Sequence, residues 1–518
     1  MPPELLPDGI VILDFGGQYC HLIARRVREM KVYSEILPSD ASAEEVKALG
    51  NVMKIKGVIL SGSPSSVNAE NPLKLDEYIL ELGLPVLGLC YGHQLLADLH
   101  GGDIRKGEIR EYGSRTAIID RPEGILEGMQ AEEPVWMSHG DTVYSLPACF
   151  HILAHTDSAP VAAFRHEAKL IYGLQWHPEV KHTAHGYEML LNYVFKICKC
   201  QPNWRPTDAV EQGINAVKAQ VGNGKAVIAL SGGVDSSVAA AIVGKALGDR
   251  IIAVHVDHGF MRLNESIQVK EAMEGIGVNI KVVNAKDRFL GKLRGVTDPE
   301  AKRKIIGEEF VRVFEDEARQ FGAEYLVQGT IYPDRIESGI TRHADTIKTH
   351  HNVGGLPLHM EFKGVVEPLK DLYKDEVRAL GTKIGLPKEL IWRQPFPGPG
   401  LAVRIVGEVT EEKLNALRRA DAIVTEEVEK SEIVGKLWQY FAVLTNTKST
   451  GVKGDERAYG LTAAVRIVES VDAMTANFTR VPWDLLESIS VRITNSIPQI
   501  TRVVYDVTNK PPSTIEWE

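Results

Sequence analysis

Short apolar runs that stop at glycine, serine or aspartate recur along most of this chain. Val11-Ile12-Leu13 ends at Asp14-Phe15-Gly16-Gly17, Gly57-Val58-Ile59-Leu60 at Ser61-Gly62-Ser63-Pro64, and Pro85 to Leu89 at a third such turn. These runs are continuous rather than alternating, with helical stretches between them. That pattern predicts strands buried on both faces of a parallel α/β sheet. A second set follows: Ala226-Val227-Ile228-Ala229, Arg250 to Asp257, Lys281-Val282-Val283-Asn284 and Tyr325 to Thr330. Further on the period changes. Leu437 to Leu444 and Tyr459 to Arg466 alternate, a helix opens at Thr410-Glu411-Glu412 and another near Pro482-Trp483-Asp484, and Arg502 to Val507 reads as a last strand. The predicted architecture is two parallel-sheet α/β domains followed by a small α+β domain. Cys200-Gln201-Pro202-Asn203-Trp204-Arg205-Pro206 has two prolines and no period, so it reads as a linker, with Thr207-Asp208 capping the next helix. The boundaries are then 1–200, 207–400 and 401–518.

Ligands of parallel sheets lie at the carboxyl ends of strands. The run 226–229 leads into Leu230-Ser231-Gly232-Gly233-Val234-Asp235-Ser236-Ser237 and then an apolar helical stretch. Strand, glycine turn and helix form an anion site. Gly232 and Gly233 admit close approach, and the first N–H groups of the helix point at the anion, backed by its dipole. No GxxxxGK[ST] is present, so this is not the Walker loop. In the first third, Gly88-Leu89-Cys90-Tyr91-Gly92-His93-Gln94 follows a strand. Small residues two before and two after Cys90 permit the sharp elbow that exposes a nucleophile, and the helix N-terminus behind it favours an anion. Cys20, Cys149, Cys198 and Cys200 lack such a setting and read as small buried apolar residues. In Ile171 to Glu179, the segment Trp176-His177-Pro178-Glu179 presents His177 as a base, with Glu179 close enough to orient its far ring nitrogen.

With 518 residues the chain needs several cores. A formal charge of −10 disfavours a nucleic-acid partner. Five scattered cysteines point to a reducing compartment rather than a disulfide scaffold. No apolar run is long enough for a membrane span, and Met1-Pro2-Pro3-Glu4 lacks a signal-peptide pattern. The expectation is a cytoplasmic protein.

The GxCxGxQ elbow and the HPE motif resemble the class I glutamine amidotransferases. That resemblance implies that Cys90 attacks the side-chain amide of glutamine, His177 shuttles protons and Glu179 orients His177. It also implies an oxyanion hole from the N–H groups of Gly62 and Tyr91, with Gln94 and a Ser138-His139-Gly140-Asp141 turn holding glutamine. The SGGVDSS stretch resembles the loop of the N-type ATP pyrophosphatases, which implies ATP with its pyrophosphate on Ser231, Gly232, Gly233, Val234, Asp235, Ser236 and Ser237. Val256 and Asp257 then lie beside the base or ribose, and Gly329 at the next strand end joins the ATP site. ATP brings Mg²⁺, which prefers carboxylate and phosphate oxygens. Asp235 and Asp334 are either its ligands or helix caps. Ile336 to Gly355 reads as a long loop, either a lid offering Lys348 to the leaving pyrophosphate or a solvated connection. With Arg393-Gln394-Pro395-Phe396-Pro397-Gly398-Pro399-Gly400-Leu401 added, nearly the whole chain resembles the glutamine-hydrolysing GMP synthases. That family implies XMP as acceptor, bound by Lys510, Thr514, Ile515 and Glu516 of the closing stretch with Arg303 and Asp455, and a homodimer through the C-terminal domain. A glutamine or nucleotide sensor has no need of Cys90, His177 and Glu179 together.

Overall fold

A computed structural model describes residues 6–206, 209–339, 360–453, 456–470 and 475–518. The chain divides near residue 205 into two units. Among the described residues no helix is long and apolar enough to cross a membrane.

The first unit is built on β1 (Asp8–Asp14), β2 (Tyr33–Pro38), β3 (Lys54–Leu60), β4 (Val86–Leu89), β5 (Asp103–Ile119), β6 (Glu132–Ser145), β7 (Phe150–His155), β8 (Ala163–His166) and β9 (Ile171–Leu174). They form one sheet in the order β2-β1-β3-β4-β9-β8-β7-β5-β6. The half from β2 to β9 is parallel, as the continuous apolar runs predict. From β9 onward the neighbours are antiparallel. In β6 buried and exposed residues alternate over its first half, so it reads as a strand with one wet face. The predicted turn Ser138 to Asp141 lies inside β6 and is corrected to strand. The linker is docked rather than free. The Arg28 guanidinium lies 4.0 Å from the Tyr33 ring centre and 4.8 Å from that of Trp204. Gln201 N–H also donates to Asp8 Oδ2 at 2.9 Å.

The second unit holds two sheets. β10 (Ala226–Ala229), β11 (Ile251–Asp257), β12 (Ile280–Asn284), β13 (Tyr325–Val327) and β14 (Gly364–Val366) are all parallel, in the order β12-β11-β10-β13-β14. In the other sheet β15 (Gln439–Lys453) pairs antiparallel with β16 (Glu456–Glu469). β17 (Asn477–Phe478) and β18 (Ile500–Tyr505) both pair β16. The two sheets share a core. Val254, Phe260 and Phe314 of the parallel layer belong to the same buried cluster as Leu417, Ala442, Val465 and Ile493. Thr410 caps the Glu411–Glu429 helix, its side chain accepting from Lys413 N–H at 3.3 Å. The predicted loop from Ile336 starts later than expected, because the Tyr332–Gly339 helix runs into it. Residues 340–359, Lys348 among them, lie outside the described residues, as do Thr207, Asp208 and Asp455.

One buried side chain makes five hydrogen bonds to the segment after β18. Arg466, 1% exposed, donates to Asp506 Oδ2 (2.7 Å), Thr508 O (3.0 Å), Ser513 Oγ (3.2 Å), Thr514 O (2.9 Å) and Ile515 O (2.8 Å). Removing it takes a charged donor from the Asp506 carboxylate and a donor from each of three carbonyls. Arg466→Met is expected to destabilise the second unit by about 3–5 kcal/mol. Calorimetry checks this, and an unchanged unfolding transition contradicts it.

Candidate active site

Cys90 ends β4 and opens the Tyr91–Leu99 helix with φ 51° and ψ −101°. That is a strained backbone for a residue with a side chain, and such strain collects at functional turns. The flanking glycines make it possible. A Cβ on Gly88 would lie 2.3 Å from Gly92 O, and one on Gly92 2.6 Å from Leu60 O. Tyr91 is the first helical residue, so its N–H has no partner within the helix. Gly62 sits against the same spot, since a Cβ there would meet His177 Cε1 at 3.1 Å and Cys90 Cβ at 3.6 Å. Its carbonyl accepts from Ser61 Oγ at 3.0 Å, and Ser61 Oγ accepts from Phe15 N–H at 2.9 Å.

His177 follows β9, and its Nδ1 lies 2.7 Å from Glu179 Oε1. Tyr19 meets the ring edge-on at 5.0 Å. Burial alone would push the imidazole pKa down. The Glu179 carboxylate and hydrogen bonds to Cys90 and Glu179 outweigh it, so the value stands well above 6.5. Glu179 is 1% exposed, which keeps its charge unscreened. The three residues are brought together as the sequence predicts.

Gln94 is also buried here, but its amide is engaged inside the protein. Nε2 donates to Asp141 O at 2.8 Å and to Gln175 Oε1 at 3.2 Å. Cys90 Sγ lies 3.5 Å from Ser138 O. His139 bridges Asp141 O (2.8 Å) and Glu111 Oε2 (2.9 Å). Burial opposes charge on Glu111, yet hydrogen bonds from His139, Ser158 and Thr156 hold its carboxyl below the ordinary range. Nearby His93 is pushed to about 3 by burial and stays neutral.

In the second unit, Gly232 has φ +78° and Gly233 caps the Val234–Leu247 helix. Ser231 and Gly233 are exposed at the carboxyl end of β10, with the helix N-terminus open behind them. Ser236 Oγ and Ser237 Oγ donate to Gly233 O at 3.1 and 2.8 Å, and Ser231 Oγ lies 3.1 Å from Ser236 Oγ. A Cβ on Gly329 would come within 3.1 Å of Asp235 C and Ser236 N, so this glycine borders the loop. Val256 is 2% exposed and part of the core, so its side chain is not available at the end of β11. Asp235 forms an ion pair with Lys374 through Oδ2, while its buried Oδ1 has no partner among the described residues. Asp334 lies in the first turn of the Tyr332–Gly339 helix and accepts from Ile331 N–H at 3.1 Å, which is the cap alternative. Among the described residues no group of three or more His, Cys, Asp and Glu could hold a metal.

The closing stretch is ordered into the second unit. Glu516 takes a two-pronged ion pair from Arg404, at 2.9 and 2.8 Å. The Ile515 side chain packs with Phe441 and Val468. Thr514 Oγ1 donates to Glu516 O. Lys510 pairs backbone to backbone with Ala476. Arg303 donates to Glu518 O, and Lys302, fully buried, to Glu518 Oε2 and to Ile405 O. Arg404, Arg466 and Lys302 escaped the sequence reading. For Arg404 and Arg466 the local signal is a charge inside an apolar run, which points to burial with a partner, whereas Lys302 stands in a charged stretch and gives none.

A class I glutamine amidotransferase family model matches residues 11–197, an NAD synthase model residues 207–305 and a GMP synthase C-terminal domain model residues 426–517. The curated relatives include the glutamine-hydrolysing GMP synthase of Geobacillus kaustophilus, 52% identical over 98% of this chain and 99% of the relative. The protein of the same name from Clostridium tetani is 51% identical over 98% and 99%, and that from Bacillus anthracis 50% over 99% of each.

A raised His177 pKa adds stability that is fully present below about pH 6.5 and is lost as pH climbs through the folded value. The ring is therefore expected to remain protonated at neutral pH, with a midpoint above 6.5 in an NMR titration of its ring proton. Glu179→Gln leaves burial as the leading influence and is expected to bring the midpoint below 6.5. A wild-type midpoint at or below 6.5 contradicts the described electrostatics.

Proposed function

Because the chain belongs to the family of glutamine-hydrolysing GMP synthases, we propose that its first unit frees ammonia from glutamine at Cys90 and its second spends ATP to make XMP accept it. The chain is a glutamine-hydrolysing ligase. The observation that carries the rest is the strained Cys90 elbow beside a histidine held by a buried carboxylate.

Cys90 Sγ attacks the carbonyl carbon of the glutamine side chain. The N–H groups of Gly62 and Tyr91 stabilise the oxyanion. His177 passes a proton to the departing ammonia, and water then cleaves the thioester to glutamate, with His177 as base and Glu179 holding its ring. Gln94 serves by fixing the Ser138–Asp141 stretch that lines the glutamine site.

On the second unit, Ser231 to Ser237 hold the pyrophosphate end of ATP, with Gly329 beside them and the backbone of Val256 and Asp257 toward the nucleoside. Mg²⁺ enters with ATP, and the unpartnered Asp235 Oδ1 suits it. Lys348 is proposed to face the leaving pyrophosphate. XMP is held by Arg303, Asp455, Lys510, Thr514, Ile515 and Glu516. The C2 oxygen of XMP attacks the α-phosphorus and pyrophosphate leaves, giving adenyl-XMP. Ammonia attacks C2, AMP departs with that oxygen, and GMP remains. Free ammonia is mostly protonated in neutral water, so a path sheltered from solvent keeps it nucleophilic. The working division is 1–200 for glutaminase, 207–400 for ATP and 401–518 for XMP and homodimer formation, in the cytoplasm.

Cys90→Ala is expected to abolish glutamine-dependent GMP formation and to leave ammonium-dependent formation within about twofold. Asp235→Ala is expected to lose at least about a hundredfold with either nitrogen source. Product chromatography with glutamine or ammonium checks both. Equal loss of both activities in Cys90→Ala contradicts the two-centre scheme.

A further inference from the structure

The second unit contains a chain of buried charges that runs from the phosphate loop to Glu516. It begins at Gly232, where a Cβ would lie 3.4 Å from Arg393 Nη1 and 3.7 Å from Glu265 Oε1. Arg393 Nη1 donates to Glu265 Oε1 at 2.9 Å, and Nη2 to Gln268 Oε1 at 3.2 Å. Glu265 Oε2 accepts the Arg262 backbone N–H at 3.0 Å, and the Arg262 guanidinium lies 3.9 Å from Oε1. The same guanidinium lies 3.9 Å from Asp421 Oδ2. Asp421 Oδ1 is 3.6 Å from Arg404 Nη1 and accepts Ala442 N–H at 3.1 Å. Arg404 completes the series with its two-pronged grip on Glu516. Phe396 is placed between the two arginines, 4.2 Å from Arg262 and 5.3 Å from Arg404, and Phe441 covers Arg404 at 3.9 Å.

Stability alone is a poor reason for this arrangement. Buried ion pairs are often no better than apolar residues of the same volume. Glu265 and Asp421 are each 2% exposed and Arg404 is fully buried, so every member depends on its neighbours for charge compensation. Asp421 is the hinge of the series, because its two carboxylate oxygens lie within 4 Å of Arg262 and Arg404 respectively.

We propose that Asp421 is a positioning residue that ties the phosphate loop to the acceptor segment: through Arg262 and Glu265 it sets Arg393 beneath Gly232, and through Arg404 it sets the Glu516 carboxylate. A contiguous network of buried charges carries coupling between two sites where both bias the same arrangement of its members. Anion binding at the loop is therefore felt at Glu516, and acceptor binding at the loop. This inference rests on the reading that Ser231 to Ser237 hold ATP and that Glu516 holds XMP.

The test is steady-state kinetics of the full chain with ammonium as nitrogen source, so that the glutaminase takes no part. Asp421→Asn keeps the shape and the Ala442 bond but drops the charge. Its KM is expected to rise about tenfold for both ATP and XMP, with kcat within about threefold of wild type. The rise in KM for XMP is expected to vanish in a Glu516→Gln background, since the two changes share one path. Unchanged KM values with a lowered unfolding temperature make Asp421 a structural brace and overturn the inference. So does a rise confined to one substrate. If Asp421→Asn does not fold, Arg404→Lys replaces it. That variant keeps the positive charge without the fork on Glu516 and is expected to show the same double rise, with unchanged values again overturning the inference. A Glu516→Gln variant with normal KM for XMP overturns the reading of the closing stretch itself.

Discussion

A buried parallel strand that turns at once into a helix is the constraint on which both centres depend. At that turn the backbone runs out of sheet partners, and the first helical N–H groups are left pointing outward. The chain uses the geometry twice. In the first unit the turn presents a side chain, and Cys90 tolerates φ 51° because Gly88 and Gly92 remove every Cβ in its way. In the second unit the turn presents the backbone: Gly232 turns with φ +78° and Gly233 caps the helix, the arrangement proposed above to hold an anion. On the proposed function the first would receive a carbonyl carbon and the second a phosphate, from the same local physics.

Burial then decides how charges behave around each turn. Glu179 raises the His177 pKa against the effect of burial because both are shut away from water, and a screened pair would do far less. Asp421 is the opposite case. Burial raises its pKa, and Arg404 and Arg262 work to keep it ionised. Arg404 itself loses charge preference through burial and regains it from Glu516 and Asp421, ending above its ordinary value. Neither group is stable in its place without the other.

The parts of the fold read from sequence were those set by short-range rules. Continuous apolar runs marked β1, β3, β4, β10 and β11, and small residues around Cys90 marked the elbow. The antiparallel half of the first sheet was missed although β5 pairs β6 and β7 pairs β8 as near neighbours in sequence, because polar and charged residues interrupt these strands and leave no continuous apolar run. Ser138 to Asp141 looked like a turn from composition alone, yet partners across β5 hold it extended. Arg404, Arg466 and Lys302 were invisible for a related reason. Each takes its meaning from partners in the stretch from Asp506 to Glu518, 112 residues away for Arg404, 216 for Lys302 and 40 to 49 for Arg466. The same long-range binding explains why Glu516 could be named as a ligand residue while its engagement by Arg404 could not.

The central claim is that the glycine cradle holds the pyrophosphate end of ATP and so directs the acceptor oxygen to the α-phosphorus. XMP labelled with ¹⁸O at C2 tests it most directly, by mass spectrometry of the nucleotides after turnover with ATP and ammonium. The prediction is that the label passes to the phosphate group of AMP. Label found in pyrophosphate or in water contradicts the claim.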